Sequence, residues 1–227
     1  MVRYPSESGE ERRETGRLEA LSDGVFAIAL TLLVLSVPVP SRDELLMSGA
    51  AVIFGQYHWL SMLTYVISFL TILVMWVNHH SVFQYIARID RPFIYLNGAL
   101  LMLIVFVNYP TALVADAMNT PAATLATATY SATFVITAIL YNALWLWAST
   151  GRRLLARDAD PAGVARITYQ YRFGPFVYLA AFGLAFLSPW LSVALNGALG
   201  VYFVFTGQIT RSRAKEGIER EPAEPQD

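Results

Sequence analysis

Long stretches without charged residues alternate with short charged segments along this chain. No Asp, Glu, Lys or Arg occurs in residues 45–87, 92–115, 117–151 or 173–210. Each stretch exceeds the roughly 20 apolar residues that a helix needs to cross a bilayer, and none shows the polar stripe of a helix on the surface of a soluble protein. The pattern predicts an all-α, polytopic membrane protein.

Proline residues and charged segments divide the chain into six predicted transmembrane helices. Pro38 and Pro40 end the first span, Pro92 suits the first turn of the third, and Ser188-Pro189 splits the last stretch into two spans. The predicted spans are Leu18–Val37, Trp59–His80, Pro92–Val114, Ala123–Thr150, Phe173–Leu187 and Trp190–Gln208.

The segments between and around the spans also carry predictions. Residues Leu45–Tyr57 predict a short interfacial or pore-mouth helix, and Trp145 and Trp147 predict an aromatic belt at the membrane interface. We expect a segment at 1–16 that is disordered over roughly its first ten residues, a membrane domain at 17–210, and a charged, disordered tail at 211–227.

The distribution of basic residues tests the number of spans independently. With six spans, every basic residue except Arg42 falls on the side that carries both termini. The positive-inside rule then places both termini in the cytoplasm and the protein in the cell membrane. Residues 1–16 lack the apolar region of a cleaved signal peptide, which predicts that the first span is retained.

Composition excludes several classes of function. The chain is 56% hydrophobic and 15% charged, whereas soluble domains carry about 25% charged residues. A net charge of −1 gives no indication of nucleic-acid binding, and the absence of cysteine excludes disulfides, thiolate catalysis and cysteine-based metal sites.

Asp23 is a charged residue one turn into the first predicted span. An acid in this place needs a partner, because burial in the bilayer is costly, and the candidates are Arg17, the histidines or a neighbouring subunit. Alternatively, Asp23 complements the helix dipole at the helix N-terminus, with Ser22 as a cap-like donor.

Farther along the same span, Ile28, Leu32 and Leu35 share one helical face, and Thr31 is adjacent to it. Such a stripe is typical of contact with lipid or with a protein core. It also suits a hydrophobic constriction in a pore, and spacing alone does not decide between these interpretations.

Two further groups of polar residues lie in the second and third spans. His79 and His80 follow Trp76 and point about 100° apart on a helix, so they make a poor metal site; they either bond to nearby polar groups or sense protons. Asn97 predicts a hydrogen bond between helices, and Pro110 predicts a kink or end of the third span.

These residues resemble the signatures of a known family. Arg17, Ser22 and Asp23, followed by Gly-Val-Phe-Ala-Ile-Ala-x-Thr, are similar to the first helix of the transmembrane protein 175 potassium channels, with Leu21 in place of a phenylalanine. The run from Trp76 to Phe83 resembles the second-span signature of that family. Asn97 followed by Pro110-Thr111 resembles its third-span signature.

The resemblance implies a homotetramer of six-helix subunits in which the first helices line a central pore. Ile28 would form the constriction, Leu32 and Leu35 would line the pore, and Thr31 would favour potassium. Polar residues near the cytoplasmic end would hold the first helices together: Arg17, Ser22, Asp23, Trp76, His79, His80 and Asn97. The permeant ion would be potassium, with no cofactor, no bound metal and no filter of the Thr-Val-Gly-Tyr-Gly type.

The leading hypothesis is therefore a potassium-selective cation channel. The first alternative is a proton-permeable pathway or secondary transporter that uses Asp23 and the His79-His80 pair. The second is an intramembrane enzyme with Ser22 as nucleophile and a histidine as base, which lacks the support of a Gly-x-Ser-x-Gly or His-Glu-x-x-His motif.

Overall fold

The computed structural model of the protein describes residues 7–48 and 56–203, and it is helical over most of these ranges. Beside the helices, the described residues form an isolated antiparallel bridge between Ile86 and Leu155. The helices are α1 (Glu7–Leu32), α2 (Arg42–Ser48), α3 (Gln56–Phe83), α4 (Arg91–Phe106), α5 (Asn108–Ala117), α6 (Ala123–Ser149), α7 (Pro161–Ala185) and α8 (189–203).

Four segments of the described chain are helical, long and apolar enough to cross a membrane. They are Glu11–Ser36, His58–Phe83, Arg91–Ala117 and Ala123–Arg152. They match the first four predicted spans and confirm the all-α membrane architecture. The predicted fifth and sixth spans lie on α7 and α8, which do not meet the same criterion within the described residues.

The first helix begins well before the predicted span. It starts at Glu7, and a 3-10 turn at Leu33–Ser36 follows its end at Leu32. The prediction of disorder over roughly the first ten residues is therefore wrong for residues 7–10, which are helical. Because Ser22 and Asp23 lie several turns inside α1, the interpretation of them as cap residues is also wrong.

The third span is kinked, as Pro110 predicts. Helix α4 ends at Phe106 and α5 begins at Asn108, because Pro110 has no N–H and its ring clashes with the carbonyl four residues earlier. At this kink the Asn108 side chain donates a hydrogen bond of 3.2 Å to the Leu32 carbonyl oxygen. The Leu32 carbonyl at the end of α1 thereby gains a hydrogen-bond donor from the kink.

Helix α7 is longer than the predicted fifth span. It begins at Pro161 instead of Phe173, because the Asp160 carboxylate accepts hydrogen bonds from the backbone N–H groups of Ala162 and Gly163 and proline suits the first helical position. The predicted break at Ser188 separates α7 from α8 and is confirmed.

Some predictions fall outside the described residues. These include the tail at 211–227, the end of the sixth span and residues 49–55 of the predicted interfacial helix. Helix α2 covers only the start of that interfacial segment.

The bundle is assembled around α6. Helix α1 packs against α3 and α4, while α6 packs against α4, α5 and α7. Trp145 on α6 is fully buried and donates a hydrogen bond of 2.8 Å to the Thr168 hydroxyl of α7. The prediction that Trp145 belongs to an interfacial belt is therefore wrong, because α7 covers this position.

Candidate functional site in the first helix and its polar contacts

Helix α1 has two chemically different faces. Ser22, Phe26 and Ala29 are buried against the other helices, in register with Leu33 just beyond the helix end. On the opposite side Ile28 is 56% exposed, Leu32 40% and Leu35 74%, and Thr31 is exposed between them. We call Ile28, Thr31, Leu32 and Leu35 the α1 stripe; no other described part of the chain covers it.

The Thr31 side chain bonds within its own helix. Its hydroxyl donates a hydrogen bond of 2.9 Å to the Ile28 carbonyl oxygen. The hydroxyl lone pairs remain available on the exposed side, because the donated proton is the only part of the group that this bond uses.

Buried hydrogen bonds connect the opposite face of α1 to α3 and α4. The Asn97 amide donates to the Ser22 hydroxyl oxygen at 3.0 Å, and that hydroxyl donates to the Leu18 carbonyl at 2.8 Å. The Asn97 carbonyl oxygen lies 2.8 Å from His79 Nε2. We call Ser22, His79 and Asn97 the histidine network; each of these three side chains is fully buried.

The protonation of His79 follows from its partner. Because the Asn97 carbonyl oxygen can only accept, His79 Nε2 carries the hydrogen. His79 Nδ1 is buried and has no hydrogen-bond partner among the described residues. The ring packs between Phe26, at a centroid distance of 5.3 Å, and Phe83, at 4.5 Å, so the imidazole is enclosed by aromatic rings.

A second set of contacts between α1 and α3 is nearer the surface. The Trp76 indole N–H donates to the Asp23 carboxylate at 2.9 Å. One turn away, His80 Nδ1 lies 3.1 Å from the Glu19 carboxylate, and the Trp76 and His80 rings stack at 6.0 Å. Glu19 and Asp23 are four residues apart on α1, and Trp76 and His80 are four residues apart on α3. The two contacts between the helices therefore lie one helical turn apart, as two successive rungs.

The structure brings together most, but not all, of the predicted polar residues. Asp23 pairs with Trp76, which was not among its expected partners, and Arg17 lies exposed. His79 faces inward and His80 faces Glu19, as their angular separation predicts. Within the described ranges, no group of three acidic, histidine or cysteine side chains could hold a metal ion.

Several contributing residues were missed by the sequence interpretation. Glu19 and Gln84 flank His80, with Gln84 Nε2 at 3.1 Å from His80 Nε2. Glu19 and Asp23 share the i, i+4 spacing of Trp76 and His80, and this matched spacing was the signal that could have predicted both rungs.

A separate polar cluster joins the helices of the second half of the chain. The hydroxyls of Ser131 and Ser192 are 3.0 Å apart, and the Asn196 amide donates to the Ser131 hydroxyl at 3.0 Å. The Ser192 hydroxyl also donates to the Ala181 carbonyl at 2.8 Å. We call Ser131, Ser192 and Asn196 the serine network; it connects α6, α7 and α8 and contains no ionisable side chain.

Known proteins are similar to this chain over most of its length. The profile of the family described as endosomal/lysosomal potassium channel TMEM175 matches residues 17–107. The chain is 50% identical over 193 residues to a potassium channel of Chamaesiphon minutus, covering 85% of this chain and 95% of that one. It is 43% identical over 201 residues to a potassium channel of Streptomyces collinus, covering 85% of this chain and 92% of that one.

A solved structure has a similar fold. The crystal structure of a lysosomal potassium-selective channel TMEM175 homologue from Chamaesiphon minutus matches with a TM-score of 0.78 and 47% sequence identity. The match covers 86% of this chain and 98% of that structure.

Proposed function

The chain belongs to the TMEM175 family of ion channels, and from this premise we propose that it is a potassium-selective channel of the cell membrane, assembled as a homotetramer. Its long matches to two bacterial potassium channels support the permeant ion. We propose that α7 and α8 complete six spans per subunit and that both termini face the cytoplasm, which agrees with the distribution of basic residues.

The α1 stripe carries this proposal. Large apolar side chains at Ile28, Leu32 and Leu35 are exposed in the protomer, while the other face of α1 is used for packing. In a closed cyclic assembly the same residue of every subunit meets around one axis. We propose that Ile28 forms the narrowest ring of a central pore and that Leu32 and Leu35 line the wider part.

Such a ring acts through hydration. A narrow apolar constriction gates by dewetting and conducts when it widens. Potassium sheds water more readily than sodium, so a ring that strips hydration favours potassium modestly, and the exposed lone pairs of Thr31 replace part of the lost shell. We therefore expect weaker selectivity than a cage of backbone carbonyls provides.

The buried contacts of α1 would set the position of the stripe. The histidine network and the Asp23–Trp76 pair fix the rotation of α1 on α3 and α4. Because the α1 stripe lies on the opposite face, the same rotation would direct Ile28 toward the pore axis. We propose that these polar residues position the pore helix without contacting the ion.

The test is ion flux from liposomes that contain the full chain. Ile28→Asn places a polar side chain in the proposed ring, which should ease wetting, raise potassium flux and reduce the preference for potassium over sodium. The matched control is Ile139→Asn, because Ile139 on α6 is 49% exposed and is not part of the α1 stripe. We expect this control to conduct and select like the wild type.

Unchanged flux and ion preference in Ile28→Asn would contradict the proposed pore face. Equal changes in both variants would mean that an asparagine at any exposed membrane position disturbs the protein, and the constriction would then lack support. Thr31→Ala adds a separate measure, because it should lower ion preference while leaving an apolar ring in place.

A proton-permeable pathway or a transporter through Asp23, His79 and His80 is the alternative. The unpartnered Nδ1 of His79 is the observation that favours it. Proton flux that disappears in His79→Gln while potassium flux is kept would support this route over the axial pore. The intramembrane enzyme is set aside, because the family consists of channels and the buried Ser22 hydroxyl bonds to Leu18 and Asn97.

A further inference from the structure

Two loops that are distant in sequence pair at one end of the bundle. The segment after α3 and the segment before α7 form the bridge between Ile86 and Leu155. Backbone hydrogen bonds flank it, from Ala87 N to the Leu154 carbonyl at 3.0 Å and from Ala156 N to the Tyr85 carbonyl at 2.9 Å. This pairing fixes the backbone of the two loops relative to each other.

An arginine of one loop stacks on a tryptophan, and an arginine of the other loop bonds to its backbone. The Arg153 guanidinium lies 4.3 Å above the centre of the Trp147 ring, and Arg88 Nε donates a hydrogen bond of 2.8 Å to the Arg153 carbonyl. The Trp147 indole N–H lies 3.1 Å from both carboxylate oxygens of Asp90, and Arg91 follows Asp90 in the chain. Arg88, Arg91 and Arg153, which we call the arginine cluster, are all exposed.

The arginine cluster carries an excess of positive charge. The nearby carboxylate, Asp90, accepts hydrogen bonds from the Trp147 indole and the Phe93 backbone N–H. Neither terminal amino group of Arg88 is needed for its bond to Arg153, so both can form the fork that binds an oxyanion. Arg152 is different, because its guanidinium donates to the carbonyls of the loop itself.

The position of the arginine cluster relative to the apolar spans indicates which kind of oxyanion it would bind. One candidate span begins at Arg91 and another ends at Arg152, so the cluster lies where two spans leave the apolar region. Trp147 is amphipathic, as is typical of side chains at the boundary with the lipid headgroups. A phosphate at this level is that of a phospholipid.

We propose that Arg88, Arg91 and Arg153 bind the phosphate of an anionic phospholipid headgroup beside Trp147. Guanidinium groups recognise phosphate through charge-assisted, bidentate hydrogen bonds, and several guanidiniums around one anion distinguish an anionic headgroup from a zwitterionic one. The bound lipid would connect the two paired loops at the ends of α3, α4 and α6. This inference does not depend on the ion that the protein conducts or on its orientation.

The test measures lipid retention by the purified full chain. The protein is incubated with equimolar phosphatidylglycerol and phosphatidylcholine, and native mass spectrometry counts the lipids that stay bound. We expect the wild type to retain phosphatidylglycerol about tenfold over phosphatidylcholine, as for one charge-assisted contact. Arg91→Gln/Arg153→Gln should reduce this ratio to about one, while Arg91→Lys/Arg153→Lys should keep part of it because the charges remain.

The matched control is Arg166→Gln/Arg172→Gln, which removes the same charge from exposed positions on α7. It should retain phosphatidylglycerol like the wild type; an equal loss would overturn the proposed site in favour of general attraction. Unperturbed helical circular dichroism and elution volume establish that each variant is folded. Displacement of phosphatidylglycerol by inorganic phosphate at equal concentration would assign the site to free phosphate and overturn the lipid proposal, as would no preference in the wild type.

Discussion

The histidine network and the serine network both join helices through buried polar side chains, but their chemistry differs. The first connects α1, α3 and α4 and contains the ionisable His79, enclosed by Phe26 and Phe83. The second connects α6, α7 and α8 through hydroxyl and amide groups alone. Only the first lies within the residues that match the family profile.

The difference indicates separate roles for the two halves of the chain. Neutral hydroxyl and amide groups hold helices together without introducing a charge that depends on pH. An imidazole differs because it can also gain a proton. Each network holds one buried acceptor without a partner among the described residues, His79 Nδ1 and Asn196 Oδ1. We infer that the histidine network positions the helix with the α1 stripe, whereas the serine network serves the fold.

The largest contrast is expected between Asn97→Ala and Asn196→Ala. Asn97→Ala removes the partner of the His79 N–H and of the Ser22 oxygen, and each buried group left unpaired costs about 1–3 kcal/mol. Asn196→Ala leaves Ser131 and Ser192 bonded to each other, so we expect a cost below about 1 kcal/mol. Thermal unfolding in detergent and potassium flux in liposomes measure both effects, and flux should fall only for Asn97→Ala.

Equal losses of stability and flux in the two asparagine variants would remove the distinction between the networks. Asn97→Asp tests the chemistry further, because an acid can still accept from His79 but donates to Ser22 only when protonated. Its flux should therefore depend on pH more steeply than that of the wild type.

A smaller contrast is expected between Trp76→Phe and Trp145→Phe. Trp76→Phe removes the donor to the Asp23 carboxylate, a bond to a charged group worth about 1.5–3 kcal/mol, and should change conduction. Trp145→Phe removes the bond to Thr168 and leaves a cavity at a fully buried site. It should lower the unfolding temperature with conduction unchanged; altered ion preference in Trp145→Phe would count against separate roles.

The smallest effect is expected for Glu19→Gln. The Glu19–His80 pair is partly exposed, with side-chain exposures of 28% and 37%, and pairs of this kind contribute roughly 0–1 kcal/mol. We expect the unfolding temperature of Glu19→Gln to stay close to that of the wild type, and its flux likewise. A change in flux as large as that of Trp76→Phe would show that the Glu19–His80 contact also positions α1.

Much of the helical organisation was predictable from local sequence. The charge-free stretches predicted the second, third and fourth spans, and the prolines at 38 and 40 predicted the end of the first. Pro110 and Ser188-Pro189 predicted a kink and a break. These features depend on hydropathy and on backbone geometry within a few residues. The early starts of α1 and α7 were missed, because charged residues can continue a helix beyond the membrane and hydropathy does not record this.

The residues of the candidate site were predictable from the sequence, but their hydrogen-bond partners were not. The motifs identified Ser22, Asp23, His79 and Asn97, yet the partner of Asp23 is Trp76 rather than Arg17. The serine network was not predicted at all, because serine and asparagine in an apolar helix carry no periodic signal. Its members become recognisable only when α6, α7 and α8 are packed.

The sequence by itself determined that this chain is a helical membrane protein, which face of the first helix carries the α1 stripe, and which residues resemble a channel family. The first two properties follow from hydropathy and helical periodicity, which act over short distances along the chain, and the resemblance follows from short sequence motifs. Only the tertiary structure decided that Asn97 connects Ser22 to His79 and that Arg88 meets Arg153. Such pairs depend on the relative rotation and depth of packed helices, to which the whole bundle contributes.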